Sequence, residues 1–167
     1  DRWGNDQEVA QFIDAVRADL AEQSDHFREG AVPMIPGQPT PGQVQAALLH
    51  RYEVNVLVTH ASNEGAPVVV EHNPSYYNLI GRIDYVSQMG TMVTDHTMIK
   101  PGSLLNANGG FIVIRIRDLL TQPQAYEGLK RALDQRAVAI ENLNEALGII
   151  PTSGLRPEPI PLDAVSY

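Results

Sequence analysis

The sequence predicts an α/β fold, and three segments carry that prediction. The first is a valine-rich strand at residues 67–71, and the second is a strand at residues 111–115, which follows a Gly-Gly pair. The third is a helix at residues 126–135, in which apolar residues recur on one face. Because strands alternate with helices, we expect a sheet of parallel type.

The composition limits the classes of function. A chain of 167 residues fits one domain with an appendage. Its net charge of −8 argues against a nucleic-acid backbone or an anionic membrane as the main partner. Without cysteine it has no disulfides and no thiolate metal sites, which agrees with a reducing cytoplasm. No apolar run reaches about 18 residues, so we expect no membrane span.

The N-terminal part, residues 1–30, is predicted to be a helical arm. An amphipathic helix is expected over residues 5–29, begun by Asn5 or Asp6 and ended by Gly30. Its apolar stripe comprises Val9, Phe12, Ile13, Val16 and Leu20. The arm is either a solvated helix with one packed stripe or part of a longer hairpin that contacts a partner.

Residues 31–43 are predicted to be a linker that belongs to neither a helix nor a central strand, because four prolines and two glycines interrupt it. Residues 44–167 then form the α/β part. Its further predicted elements are a short strand at residues 55–59, a helix start at residues 118–120, a strand at residues 138–142 and an extended segment at residues 155–161.

The common catalytic motifs are absent. The sequence has no phosphate-binding G-x-x-x-x-G-K-[ST], no GxGxxG, no GxSxG and no HExxH. Gly109-Gly110 is therefore predicted to form a tight turn, and Lys100 and Ser103 are predicted to lie in a surface loop and not to form a catalytic dyad. The histidines are scattered and are predicted to be structural or solvated: His26, His50, His60, His72 and His96.

Two features point to function. Residues 87–99 contain Met89, Met92 and Met98, whose flexible thioethers suit either a strand in the core or an exposed loop that grips unfolded polypeptide. The strand at residues 111–115 stands where nucleotide-hydrolysing domains place acidic residues that hold magnesium. Here the strand ends in Arg115 and Ile116, so the strand of a nucleotide-binding domain is present but the acidic residues that would hold magnesium are missing.

Several blocks, in order, resemble the Lon-related proteases, and more narrowly the LonC-type branch whose ATPase-type domain is interrupted by a helical insertion. The resemblance covers residues 51–163, about two thirds of the chain. Its blocks are RYEVNVLV, GAPVVVEHNPSYYNLIGRIDY, MVTDHTMIKPGSL, NANGGFIVI, GLKRAL and LRPEPIPLD. It implies a partial AAA-type domain, with residues 1–30 as the end of the helical insertion.

The resemblance also shows where this chain departs from its family. The family pattern PGALHRANGGYLILDA reads PGSLLNANGGFIVIRI here, so Leu105 and Asn106 replace a His-Arg pair. Arg115 replaces the acidic residue and Ile116 the second one, and a cation at this point would oppose Mg²⁺. The resemblance therefore implies no cofactor for this segment, with ATP and Mg²⁺ bound by the parent only if other parts supply the site.

By order along the chain, the resemblance places a substrate-handling pore loop at Gly90, Met92 and Val93. It implies a non-catalytic segment that helps build a ring, hexameric by analogy, and handles polypeptide. The chain, which begins at Asp1, is interpreted as a piece of a longer protein. Its phosphate-binding loop would lie upstream and its Ser–Lys serine peptidase domain downstream.

Two alternatives remain open. One is an active ATPase segment in which Asp118 or Asp95 supplies the displaced carboxylate. The other is a stand-alone protein-binding module that has lost both neighbouring regions. A separate hypothesis gives Arg115 a partner, Asp84 or Glu141, in place of a metal ion.

Overall fold

The computed structural model describes residues 7–24, 40–60, 65–88, 90–143 and 155–163. They belong to two compact units, one that ends at Val54 and one that starts at Asn55.

The first unit contains two helices, α1 (Gln7–Glu22) and α2 (Pro41–His50). The Tyr52 hydroxyl donates a 2.6 Å hydrogen bond to the Asp19 carboxylate, and Arg51 lies 3.5 Å from the same group. These contacts join α1 to the end of α2. Helix α1 lies within the predicted range of residues 5–29 but ends at Glu22, whereas the predicted caps and residues 25–29 lie outside the described residues.

The linker prediction is wrong at its C-terminal end. Thr40 caps α2, and Pro41 begins the helix within the segment expected to be non-helical. Proline is tolerated in the first turn because an N–H there has no partner within the helix. Thr40 and Gln43 complete a capping box, in which each side chain accepts from the other residue's backbone N–H. Residues 31–39 lie outside the described part of the chain.

The second unit mixes short helices and strands. Its helices are α3 (Tyr76–Ile80), α4 (Ser103–Asn106), α5 (Ile116–Leu120) and α6 (Pro123–Gln135), with a 3-10 turn at His96–Met98. Its strands are β1 (Val68–Glu71), β2 (Gly81–Ile83), β3 (Val86–Gln88), β4 (Thr91–Val93), β5 (Ile99–Pro101), β6 (Phe111–Ile114), β7 (Ala137–Val138) and β8 (Ile160–Pro161).

Among the described residues the strands form four separate pairs. Strands β1 and β6 are parallel, in the register Val68↔Phe111 to Glu71↔Ile114. The other pairs, β2–β5, β3–β4 and β7–β8, are antiparallel. The prediction of a mixed α/β fold is confirmed, and the expected parallel arrangement is limited to β1–β6.

The core of this unit lies around α3 and α6. Leu79 is fully buried, and Val138 and Ile140 are 0% and 1% exposed. The buried cluster also takes in Leu104, Leu105, Leu119, Ala132 and Leu162. Helix α6 thus packs on the segments that precede and follow it, and its apolar face, predicted from the sequence, is confirmed.

Three predicted extended segments differ from the structure. Residues 55–59 form no strand, because no neighbouring strand among the described residues supplies backbone hydrogen bonds. The strand expected at residues 138–142 is reduced to β7, and only β8 of residues 155–161 is paired. No helix in the described ranges combines the length and apolar character that a bilayer crossing requires.

Candidate functional site

The carboxyl edge of the β1–β6 pair is the first candidate region. Glu71 ends β1 and stands in register with Ile114, the last residue of β6. Arg115 follows at once and leads into α5, where Ile116 is 63% exposed. Because the strands are parallel, Glu71 and Arg115 come to the same edge, at which α/β proteins commonly bind ligands.

The Glu71 carboxylate is engaged within the fold. One oxygen accepts a 2.8 Å hydrogen bond from the backbone N–H of Asn73, and the other accepts from the Ser103 hydroxyl. The Asn78 carbonyl oxygen lies 3.0 Å from the same hydroxyl oxygen. This carboxylate therefore holds the turn after β1 against the start of α4.

The residues at this edge do not fit a magnesium–nucleotide site. Magnesium prefers oxygen ligands, usually one or two carboxylates with water and phosphate. Arg115 brings a cation instead, Ile116 brings no ligand atom, and both oxygens of Glu71 already accept hydrogen bonds. In the described part of the chain, no three His, Asp or Glu side chains cluster as a metal ion would require.

The hypothesis that Arg115 pairs with Asp84 or Glu141 is wrong. The partner of Asp84 is Arg82, whose Nε lies 2.8 Å from the carboxylate. Among the described residues no ion pair joins Arg115 to Asp84 or Glu141, and the Arg115 side chain is exposed. The positive charge at the end of β6 therefore faces solvent.

The two aspartates considered as displaced acids occupy different places. Asp118 lies in the first turn of α5, where its backbone N–H donates to the Arg115 carbonyl at 3.1 Å. Asp95 caps the turn at residues 96–98, where its carboxylate accepts from the Thr97 N–H at 2.8 Å. Only Asp118 is thus close to the carboxyl edge along the chain.

The prediction that Lys100 and Ser103 lie in a surface loop is wrong, because the first is in β5 and the second begins α4. Ser103 is 7% exposed, and its hydroxyl bonds to Glu71. Lys100 is exposed in the middle of β5, opposite Arg82. The Gly109-Gly110 segment forms the predicted turn, with a φ of 75° at Gly109.

The β3–β4 hairpin is the second candidate region, and it contains the residues predicted to handle substrate. Val86 pairs with Val93, and Ser87 with Met92. Gly90 lies in the connection with a φ of 82°, a conformation that glycine adopts without strain. The three predicted residues therefore belong to one hairpin, with Met92 and Val93 on the same strand.

The hairpin exposes its apolar side chains. Met92 is 62% exposed, Val86 48% and Val93 37%. Residues 86–94 contain no charged side chain. Of the two interpretations of the methionine-containing segment, the exposed one therefore describes Met92, whereas Met98 is partly buried and Met89 lies outside the described residues.

Sequence reasoning missed Glu71 and Val86. Glu71 could have been noticed as an acidic residue that ends a valine-rich strand and precedes an Asn-Pro-Ser turn. Val86 carried no signal of its own, because its place beside Val93 depends on the hairpin register.

A comparison with known families identifies the chain. The profile of the family described as "LonB-like, AAA domain" matches residues 64–165, which is more than half of the sequence. The matched region contains the eight strands named above and both candidate regions. The description is LonB-like, so the narrower LonC-type assignment is not confirmed. A search of curated proteins gave no match. The chain thus belongs to the LonB-like AAA domain family, a Lon-related AAA-type family.

Proposed function

We propose that this chain is the polypeptide-handling part of a Lon-like AAA-type domain and that it does not itself hydrolyse nucleotide. The single observation that carries the proposal is the exposed, uncharged apolar hairpin β3–β4. Extended or unfolded polypeptide offers apolar side chains at irregular intervals, and a flexible thioether such as Met92 adapts to many of them. Gly90, Met92 and Val93 are the residues assigned to this role.

The carboxyl edge supports the non-hydrolytic half of the proposal. Hydrolysis in P-loop domains needs a metal ion held by carboxylates and a residue that orients water. At the end of β6 this chain has Arg115 and Ile116, and Glu71 is occupied by its bonds to Asn73 and Ser103. No nucleotide or metal ion is therefore assigned to the segment.

The exposed apolar face of the β1–β6 pair supports packing of this chain against another part of a larger protein. Val68, Val70, Phe111 and Val113 are each at least 52% exposed, whereas parallel sheets are normally covered on both faces. We assign this face to packing within the parent protein. The parent is proposed to be a cytoplasmic Lon-type Ser–Lys serine peptidase that forms a ring, hexameric by family analogy.

Binding of an unfolded protein tests the handling role directly. The full chain would be titrated into fluorescein-labelled casein and followed by fluorescence anisotropy, with Met92→Ser and Val93→Ser as variants. The matched control is Ile116→Ser, because Ile116 is 63% exposed and Met92 62%. We expect Met92→Ser to weaken casein binding by about fivefold or more, whereas the control variant binds casein as the unsubstituted chain does. Equal effects at the two positions would reject the hairpin as the binding element.

A second candidate function is ATP hydrolysis with a displaced carboxylate. The observation that favours it is the position of Asp118, which bonds through its backbone to Arg115 at the carboxyl edge. The test is magnesium-dependent ATP turnover by the full-length parent and its loss in Asp118→Asn. Turnover that survives this substitution would exclude Asp118 as the displaced acid.

A further inference from the structure

We propose that Asn55 and Asn142 are positioning residues that hold the two legs of the β3–β4 hairpin and so set the direction in which it projects. The inference rests on the proposed function, since it concerns how the polypeptide-handling hairpin is aimed. Neither residue lies on β3 or β4.

The hairpin needs such support because its strands pair only with each other in the described structure. Strands β3 and β4 form a separate two-stranded sheet, and an isolated hairpin of this size is marginally stable in water. Its direction is therefore decided at its base. One leg there runs through Asp84 and Tyr85, and the other through residues 94–98.

Two local bonds close the base without anchoring it to distant parts of the chain. The Thr94 hydroxyl donates to the Asp84 carbonyl at 2.8 Å, which ties one leg to the other. The Asp84 N–H donates to the Met98 carbonyl at 2.9 Å, which continues the pairing of β2 with β5. Both bonds join residues within the same hairpin extension, so they stiffen it internally.

Asn55 anchors the leg that follows β4. Its side-chain amide nitrogen donates to the His96 carbonyl at 2.8 Å and to the Ile99 carbonyl at 3.0 Å. Asn55 begins an extended segment in which Leu57 and Val58 pack against the buried core. Both amide hydrogens are donated to backbone oxygens, one on the first residue of the 3-10 turn and one on the residue that follows it. This leg is therefore tied to a segment more than 40 residues earlier.

Asn142 anchors the other leg through Tyr85. Its side-chain amide donates to the Tyr85 hydroxyl oxygen at 3.0 Å. Asn142 comes two residues after Ile140, which is 1% exposed, and the Tyr85 ring packs against the same core. The two asparagines thus hold opposite legs of the base from two distant stretches of chain. A small rotation at the base would move the tip of the hairpin by a larger distance. These bonds therefore control the direction in which the hairpin projects.

A distance measurement tests the positioning role. The chain has no native cysteine, so spin labels can be attached at Ser87→Cys on β3 and Gln124→Cys on α6, both exposed positions. Double electron–electron resonance then gives the distribution of distances between hairpin and core. The variants are Asn55→Ala and Tyr85→Phe, the second of which keeps the ring and removes only the hydroxyl. The control is Asn78→Ala, which loses a 2.8 Å side-chain bond to the Asn73 carbonyl away from the hairpin.

We expect a broader or displaced distance distribution in both variants, with a folded circular-dichroism spectrum and no change in the control. Casein binding by the unlabelled variants is expected to weaken at least about threefold. An unchanged distribution in Asn55→Ala and Tyr85→Phe would overturn the inference, and so would a broadened one with undiminished casein binding. Failure of the proposed function is recognised separately, because Met92→Ser would then leave casein binding intact.

Discussion

The Ser103 hydroxyl donates a hydrogen bond to the Glu71 carboxylate, which lies 32 residues earlier at the end of β1. The bond joins the first residue of α4 to the last residue of a strand in the parallel pair. Ser103 is buried, so water does not readily replace the hydroxyl if it is removed. The carboxyl edge that resembles a nucleotide site is therefore organised by an internal hydrogen bond.

Removing this hydroxyl should destabilise the fold. Hydrogen bonds to charged groups contribute about 1.5–3 kcal/mol, so we expect Ser103→Ala to lower the free energy of unfolding by about 2 kcal/mol. Ser87→Ala is the control, because Ser87 is exposed on β3, and it should change stability by less than about 0.5 kcal/mol. Urea denaturation measures both, and a similar small effect for the two variants would contradict the assignment.

Gly102 should not tolerate a side chain. A Cβ at this position would lie 2.3 Å from the Leu79 carbonyl oxygen, well inside van der Waals contact. The obstacle is backbone and cannot rotate away, so we expect Gly102→Ala to cost about 3 kcal/mol of stability. Gly65→Ala is the matched control, since a Cβ there meets nothing within 4 Å. Thermal unfolding measures both variants. Equal melting temperatures for Gly102→Ala and Gly65→Ala would disprove the close approach of position 102 to the Leu79 backbone.

Tyr76 should make the fold sensitive to alkaline pH. Burial, followed by the charge of Glu141, raises the pKa of its hydroxyl above the ordinary value of 10.0. Well below pH 10 the hydroxyl is neutral in both the folded and the unfolded state. As the pH rises further, the unfolded chain ionises first, so the free energy of unfolding falls. Denaturation in urea between pH 8 and about 11 measures this fall. The share of this fall in the free energy of unfolding that comes from Tyr76 should disappear in Tyr76→Phe. It should persist in the control variant Tyr77→Phe.

Arg115 should be dispensable for stability. Its side chain is exposed, and within the described ranges no ion pair holds it. Substitutions at exposed positions usually change the free energy of unfolding by less than about 0.5 kcal/mol. Arg115→Ala is therefore expected to unfold at nearly the same urea concentration as the unsubstituted chain. A loss of more than about 1 kcal/mol would reveal a structural partner for this cation.

Local patterns predicted the elements that depend on nearby residues. The strand Phe111–Ile114 and the helix Pro123–Gln135 were expected almost where they lie, because alternation and helical spacing are read within one segment. The prediction failed for residues 55–59, whose valine-rich pattern suits a strand. A strand also needs a neighbour, and that requirement is not written in the segment itself. The same limit hid Glu71, whose partner Ser103 is distant in the chain.

The amino-acid sequence by itself determined the charge, the periodic apolar faces and the replacement of an acidic residue by Arg115, since each is a property of residue type and near spacing. It also marked Met92 and Val93 as unusual. Only the tertiary structure decided that these two residues lie on an exposed hairpin, that Glu71 bonds to Ser103, and that Asn55 bonds to the hairpin base. These contacts join residues 32 to 44 positions apart, and side-chain hydrogen bonds over such separations depend on how the chain packs, which near spacing does not encode.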